Sequence, residues 1–336
     1  MSDAPRPAAT PDFLNHDRPP VPQIVVPRGV QPFHLRDRPV RGRLVRLGPL
    51  AEALLGRHDN HPAVTRLAGE ALALTAGLAA ALKFRGSFSL QAKGDGVVPM
   101  LLADCTESGE LRGYARAEPD KLARLLRGDP DPSAAALLGK GYLAFTCDQG
   151  PDMDRYQGIV AIEGISLAQM AGSYFRTSEQ IRTLVRLACA RTEAGWRAAA
   201  FIMEKVATEG GIALGTDDRD ADLPAADPED PDEAWHTACV LADTLTDAEL
   251  LDDSLPADRL LHRLFHAEGL SVDRARALSY GCRCSRARLA GVLEGFPPED
   301  LDHMVQDDGA ITVTCEFCNV GFRFERREVR GKRAAG

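Results

Sequence analysis

Two cysteine pairs near the C-terminal end constrain this chain more than any other feature. Cys282-Arg-Cys284 is followed by thirty residues, Ser285 to Thr314, and then by Cys315-Glu-Phe-Cys318. Four soft sulfur donors with no histidine among them suit one tetrahedral Zn²⁺ rather than a harder ion. The second pair lies between two strand-like runs, Ile311-Thr-Val-Thr and Val320-Gly-Phe-Arg-Phe, which is the setting of a zinc knuckle. In the first pair, residues two apart on an extended chain point the same way, and Ser285 is placed to cap a helix running to about Glu294. An iron–sulfur cluster also takes four cysteines, but these spacings match neither ferredoxin run. Four reduced, unliganded thiols are the other alternative. A complete set of four thiolate ligands leaves no open coordination position, which argues against a catalytic metal and leaves a structural site or a switch. Zinc-bound sulfur stays nucleophilic toward oxidants, and in so small a module metal binding is folding free energy, so oxidative loss of the ion should unfold it.

The other cysteines, Cys105, Cys147, Cys189 and Cys239, are scattered singly and read as inert thiols. With 336 residues, 44% hydrophobic and 26% charged, the chain has ordinary globular usage and room for more than one domain. No 18-residue apolar run is present, and Met1 to Pro11 carries neither the basic nor the apolar part of an export signal. These features set the expectation of a cytoplasmic protein without a membrane partner. The net charge of −9 is local, because Thr216 to Ala234 holds nine acids against Arg219 and accounts for all but about one unit of it. The near-neutral remainder has no electrostatic footprint for a phosphate backbone.

Residues 1–33 are proline-rich, with eight of the 22 prolines in the first 32 positions, and read as a mobile tail with order beginning near Phe33. Val40 to Arg46 is strand-like. From Pro62 to Leu82 the apolar spacing of Leu67, Ala71, Leu74 and Leu78 predicts a helix. Short strands are expected at 86–92, 97–105, 111–115, 141–147 and 158–163, and helices at Ser166–Phe175 and Arg191–Ala207. The result is an α+β core domain, residues 34–210, with mixed or antiparallel sheets. The segment Thr216–Ala234 reads as a solvated loop. Beyond it Thr246-Asp-Ala-Glu249 fits a capping box, and a helix from Ser254 carries a narrow apolar stripe, Leu260, Leu261, Leu264 and Phe265, that must be buried against something.

Other candidates are weaker. Ser178-Glu179-Gln180 has no histidine nearby to serve as a base and reads as polar groups that cap a helix and fix topology. His262 and His266 stand four apart but lack an acidic partner motif. No thioredoxin-like βαβ pattern precedes either cysteine pair. A zinc-ribbon nucleic-acid-binding regulator is the alternative from another class, supported by Arg283, Arg286, Arg288, Arg323, Arg326, Arg327 and Arg330. Eleven basic against ten acidic residues from 271 onward make no basic patch.

The cysteine signature, together with Gly141-Tyr-Leu-Ala-Phe, Tyr156-Gln-Gly-Ile-Val, Tyr174-Phe-Arg-Thr-Ser-Glu-Gln180 and Leu255-Pro-Ala-Asp-Arg-Leu-Leu-His-Arg-Leu-Phe-His266, resembles the heat shock protein 33 family of redox-regulated holdase chaperones. The match runs from about residue 34 to 330. Asn319 stands where the family usually has glycine, a modest departure because asparagine tolerates the left-handed region. The resemblance implies a chaperone core, a metastable helical linker across residues 211–275 that includes the acidic loop, a C-terminal zinc redox-switch domain at 276–330 and a short tail, 331–336. It implies one Zn²⁺ per reduced chain held by Cys282, Cys284, Cys315 and Cys318. On oxidation it implies a disulfide within each pair, Cys282 with Cys284 and Cys315 with Cys318, loss of zinc and unfolding of the linker. The activated form would bind unfolding client proteins without ATP, often as a homodimer, and would not be an enzyme.

Overall fold

The computed structural model describes residues 21–36, 38–82, 86–149, 156–206 and 231–329. Most of the acidic loop read at 216–234, residues 1–20 of the proline-rich segment and the 331–336 tail lie outside these residues. Two compact units emerge, one from Gln23 to Gly281 and one from Cys282 onward.

The first unit is built on strands β1 (Val25–Leu35) and β2 (Val40–Arg46), helices α1 (Pro49–Leu55) and α2 (Pro62–Ala79), and strands β3 (Ser87–Gly94), β4 (Met100–Thr106) and β5 (Glu110–Arg116). Helices α3 (Pro119–Gly128) and α4 (Ala134–Leu138) lead to β6 (Gly141–Asp148), β7 (Tyr156–Ala161), α5 (Leu167–Thr177), β8 (Thr183–Thr192) and β9 (Gly195–Lys205). The chain then runs through α6 (Pro231–Asp243), α7 (Asp247–Leu251) and α8 (Ala257–Phe265) to β10 (Leu270–Val272) and β11 (Arg276–Tyr280). Among the described residues the strands form one sheet in the order β7-β6-β3-β4-β5-β11-β1-β2-β9-β8, with β10 pairing β1. Pairing is antiparallel except between β11 and β5. This is the α+β architecture with a mixed sheet that the strand spacing implies.

Three expectations are corrected. The first strand begins at Val25, eight residues before Phe33, and its prolines sit in a bulged strand. The register of β1 against β11 shifts between Val26 and Val30, so Pro27 needs no ladder partner there. The described residues of the Arg191–Ala207 segment form the end of β8, a tight turn and β9, not a helix. Its alanines favour a helix intrinsically, but a strand buried on both faces overrides so weak a preference. Gly195, with φ +96°, closes the turn into that strand. Residues 276–280 belong with the large sheet as β11, so the cysteine unit begins at Cys282 rather than at 276.

Helix α2 packs under the sheet through nearly all of its circumference. Two glycines set the distance: a Cβ at Gly77 would lie 2.6 Å from the Ile202 side chain, and one at Gly69 would lie 2.3 Å from the Cys189 sulfur. Glu70 is the one acidic side chain of this helix. Burial pushes its carboxyl up to about 7, against Arg66 and with help from Asp247. A folded-state pKa above the unfolded value of ~4.3 gives stability that is whole below that pH and is lost as pH rises through 7. Glu70→Gln is therefore expected to flatten the stability profile between pH 5 and 8 and to gain about 2 kcal/mol at pH 8. Urea midpoints at the two pH values check this, and equal slopes in the two chains would refute it.

The opposite face of β1, β2, β8 and β9 carries Phe33, Leu35, Val40, Leu44, Phe201 and Met203, all covered by α6, α7 and α8. Every residue of the stripe read on α8 is buried there: Leu260, Leu261, Leu264 and Phe265 are 0–3% exposed. Phe265 stacks on Phe33 and Phe201 at ring-centroid distances of 5.5 and 6.3 Å. The capping box is present, with the Thr246 hydroxyl accepting from the Glu249 amide and the Glu249 carboxylate accepting from the Thr246 amide.

Candidate metal centre

The cysteine unit consists of α9 (Arg286–Glu294), α10 (Pro298–His303), the hairpin β12 (Ala310–Thr314) with β13 (Gly321–Glu325), and a 3-10 turn at Arg326–Glu328. Two local devices aim the sulfurs. Ser285, 2% exposed, caps α9 by accepting from the Arg288 amide at 3.2 Å, which ends the Cys282–Cys284 loop abruptly. In the knuckle the Asn319 amide donates to the Cys315 carbonyl at 2.8 Å, and the Cys315 amide donates to Val320 at 2.9 Å. Asn319 takes φ +54°, the left-handed conformation expected of it.

These turns bring the four Sγ atoms within 4.8 Å of one another. Cys284 lies 3.4 Å from Cys282 and 3.4 Å from Cys318, and Cys282 lies 3.8 Å from Cys315. A tetrahedron with metal–sulfur bonds of ~2.3 Å has edges of ~3.8 Å, so the sulfur cage already has the dimensions of such a site. Backbone amides of Cys284, Cys318 and Val320 donate to the sulfurs of Cys282, Cys315 and Cys318. They favour thiolates, as metal binding requires. The neighbouring Cys284 thiol pulls Cys282 down to about 7, and Cys282 in turn lowers Cys315. Contact with Cys282 raises Cys284 and Cys318. Cys284 is half-buried, while the other three sulfurs belong to buried residues. Donor type, spacing and amide support all fit a thiophilic dication.

The unit packs through Leu293, Leu301, Ile311, Phe322 and Phe324. Arg286 lies over the Phe324 ring at 4.5 Å and donates to the Glu328 carboxylate at 2.6 Å. Arg323 pairs with Asp308, and Arg326 pairs with Asp302 at 2.6 Å. Three of the arginines that favoured a nucleic-acid reading are thus engaged within the unit.

The remaining candidates do not join the centre. His262 and His266 stack on α8 at 5.3 Å with no third ligand among the described residues. Ser178 ends α5, its amide donating to Tyr174 at 2.8 Å, and Glu179 accepts from the hydroxyls of Tyr156 and Tyr174. That carboxylate ties α5 to β7, a role visible only once both tyrosines are in place. Burial pushes Cys189 up to about 12 and Cys239 to about 11, and raises Cys147. Cys105 is buried in β4. The seat of α6, α7 and α8 on the sheet escaped sequence reasoning. The alternation Ala199, Phe201, Met203 is its signal, hidden by the helical reading of that segment.

Among the described residues no helix is long and apolar enough to cross a membrane. A crystal structure of a 33 kDa chaperonin (heat shock protein 33 homolog) from Thermotoga maritima aligns with TM-score 0.68 at 20% identity, covering 90% of this chain and 96% of that one. This likeness supports the fold. The 33 kDa chaperonin of Caulobacter vibrioides is 40% identical over 294 residues, 86% of this chain and 92% of its own. That of Pseudomonas aeruginosa is 33% identical over 303 residues, 89% of this chain and 92% of its own. The family model described as Hsp33 protein matches residues 29–325, a span that takes in both the sheet with its helical cover and the four-sulfur cage. With similarity of this extent on both units, the chain belongs to the Hsp33 family.

Proposed function

We propose that this protein is a redox-regulated, ATP-independent holdase of the cytoplasm, silent when reduced and zinc-bound. The observation that carries the reading is an amphipathic helix, α8, seated on an apolar sheet face and followed closely in the chain by the four-sulfur cage. Residues 23–206 act as the chaperone core, residues 231–272 as the linker and residues from 282 onward as the redox switch. Zinc, when bound, offsets the charge of four thiolates and ties Cys282 and Cys284 to Cys315 and Cys318. The pairing Cys282 with Cys284 and Cys315 with Cys318 follows the family. Each pair gives two electrons to one peroxide, an S–S bond forms, and with two protons from solvent the peroxide becomes two waters. With its sulfur donors consumed, the small unit loses its main source of stability. Through β11 and β10 its unfolding loosens the linker, and α8 lifts from the sheet. Phe33, Phe201, Met203 and the stripe of α8 then bind exposed apolar segments of unfolding clients, and two activated chains associate.

The test measures zinc content together with light scattering of a thermally unfolding client, before and after peroxide or hypochlorite. About one zinc per chain should be released, with suppression only after oxidation and reversal by reductant plus zinc. Retained zinc, or equal suppression in both states, would sink the proposal. Salt-sensitive retention on a phosphate resin without suppression would favour a nucleic-acid-binding regulator instead.

A further inference from the structure

The linker's seat is apolar, yet the connector between α7 and α8 is held by bonds of another kind. Arg46, the last residue of β2, donates Nε to the Leu250 carbonyl at 2.9 Å, Nη2 to the Glu249 carbonyl at 2.6 Å and Nη1 to the Leu255 carbonyl. Helix α7 ends at Leu251 and its C-cap, Asp252, is extended, so the Glu249 and Leu250 carbonyls are among those that a helix end leaves without intrahelical donors. One guanidinium from the sheet therefore completes the end of α7 and the entry to α8 together.

A second arginine acts beside it. Arg197 of β9 donates Nε to the Asp253 carboxylate and is itself anchored by Nη1 to the carbonyls of Ala194 and Trp196, at 3.0 and 2.9 Å. Within the connector, Asp252 accepts from the amide and hydroxyl of Ser254 at 2.8 and 2.6 Å, and Glu249 pairs with Arg263 of α8 at 2.8 Å. The connector is thus stiff where two adjacent strands grip it. Burial disfavours the charge on Arg46, and Asp253 and Asp252 oppose that effect.

We propose that Arg46 and Arg197 form a latch on residues 249–255, and that this latch, with the apolar contact, sets how readily the linker leaves the sheet. The functional part of the inference rests on the reading that the lifted linker is the active form. Apolar burial is non-directional and allows an undocked helix to slide and return. A guanidinium donating to three carbonyls has one geometry, and breaking it strands a half-buried cation and three acceptors until water enters. Release at this point is all or none, which gives the linker a threshold.

The experiment uses the full chain, reduced and zinc-loaded, as wild type, Arg46→Lys and Asp253→Asn. Lysine keeps the charge but cannot span three carbonyls. Asp253→Asn alters a partly exposed side chain and leaves Arg197 its two carbonyl partners. Hydrogen exchange of residues 231–265 is expected to accelerate about tenfold or more in Arg46→Lys and roughly threefold in Asp253→Asn, with α2 unchanged. Reduced Arg46→Lys should also suppress client aggregation without oxidant. Linker exchange within about twofold of wild type in both variants would overturn the latch. Should Arg46→Lys lose protection in α2 as well, Asp253→Asn decides alone, and unchanged linker exchange there overturns it. Faster linker exchange without client holding, even by oxidised wild type, would instead defeat the holdase reading and leave the latch standing.

Discussion

Replacing Cys318 with serine is expected to leave residues 282–329 without a stable fold, the largest single effect available in this chain. The unit has roughly fifty residues, near the size at which a hydrophobic core alone stops being sufficient. Its buried apolar set is short, chiefly Leu293, Leu301, Ile311, Phe322 and Phe324. Free energy on the order of 10 kcal/mol from ligation of a structural zinc would exceed what that core supplies. A serine hydroxyl is a poor replacement for a thiolate, and three donors hold the ion far less tightly. The measurement is hydrogen exchange across 286–303 and 310–325, on the variant and on wild type stripped with a strong chelator. Both should lose protection, while β3 and β4 keep theirs. Retained protection in the stripped wild type would mean that the cage is held by packing and that metal is incidental.

Phe265→Ala is expected to undock α8 from the sheet in the reduced protein. The side chain is fully buried and stacks on two other phenylalanines, so truncation removes both its own burial and the ring contacts. Truncations of this kind cost about 3–5 kcal/mol. The neighbouring Leu260, Leu261 and Leu264 remain, but α8 is short and has little helical stability apart from its seat. Binding of a dye that reports exposed apolar surface should rise severalfold without oxidant, and exchange across 257–265 should approach that of an unprotected chain. Wild-type dye binding and exchange in the variant would show that α8 is held mainly by the 249–255 connector.

The parts legible in the sequence are those set by neighbours along the chain. Ser285 as a cap, the Thr246–Glu249 box, the left-handed Asn319 and the facing sulfurs of two cysteine pairs all depend on a few consecutive residues. Their geometry is the same wherever the segment sits. The α8 stripe was equally plain, because four apolar positions at helical spacing among charged ones admit one buried face. What that face lies against was not readable. The partner surface is made by β1, whose proline-containing first part reads as tail, and by β9, which reads as a helix.

By itself, then, the sequence determined a four-thiol cage, an α+β core and a helix with one face to hide, since short-range spacing and caps decide each of these. Only the tertiary structure decided that Phe33 and Phe201 receive Phe265, that Arg46 completes the end of a helix some two hundred residues away, and that the Ala-rich Trp196–Met203 run is a strand. Those outcomes rest on pairing between distant segments, where burial on both sides outweighs the weak conformational preference of the residues themselves.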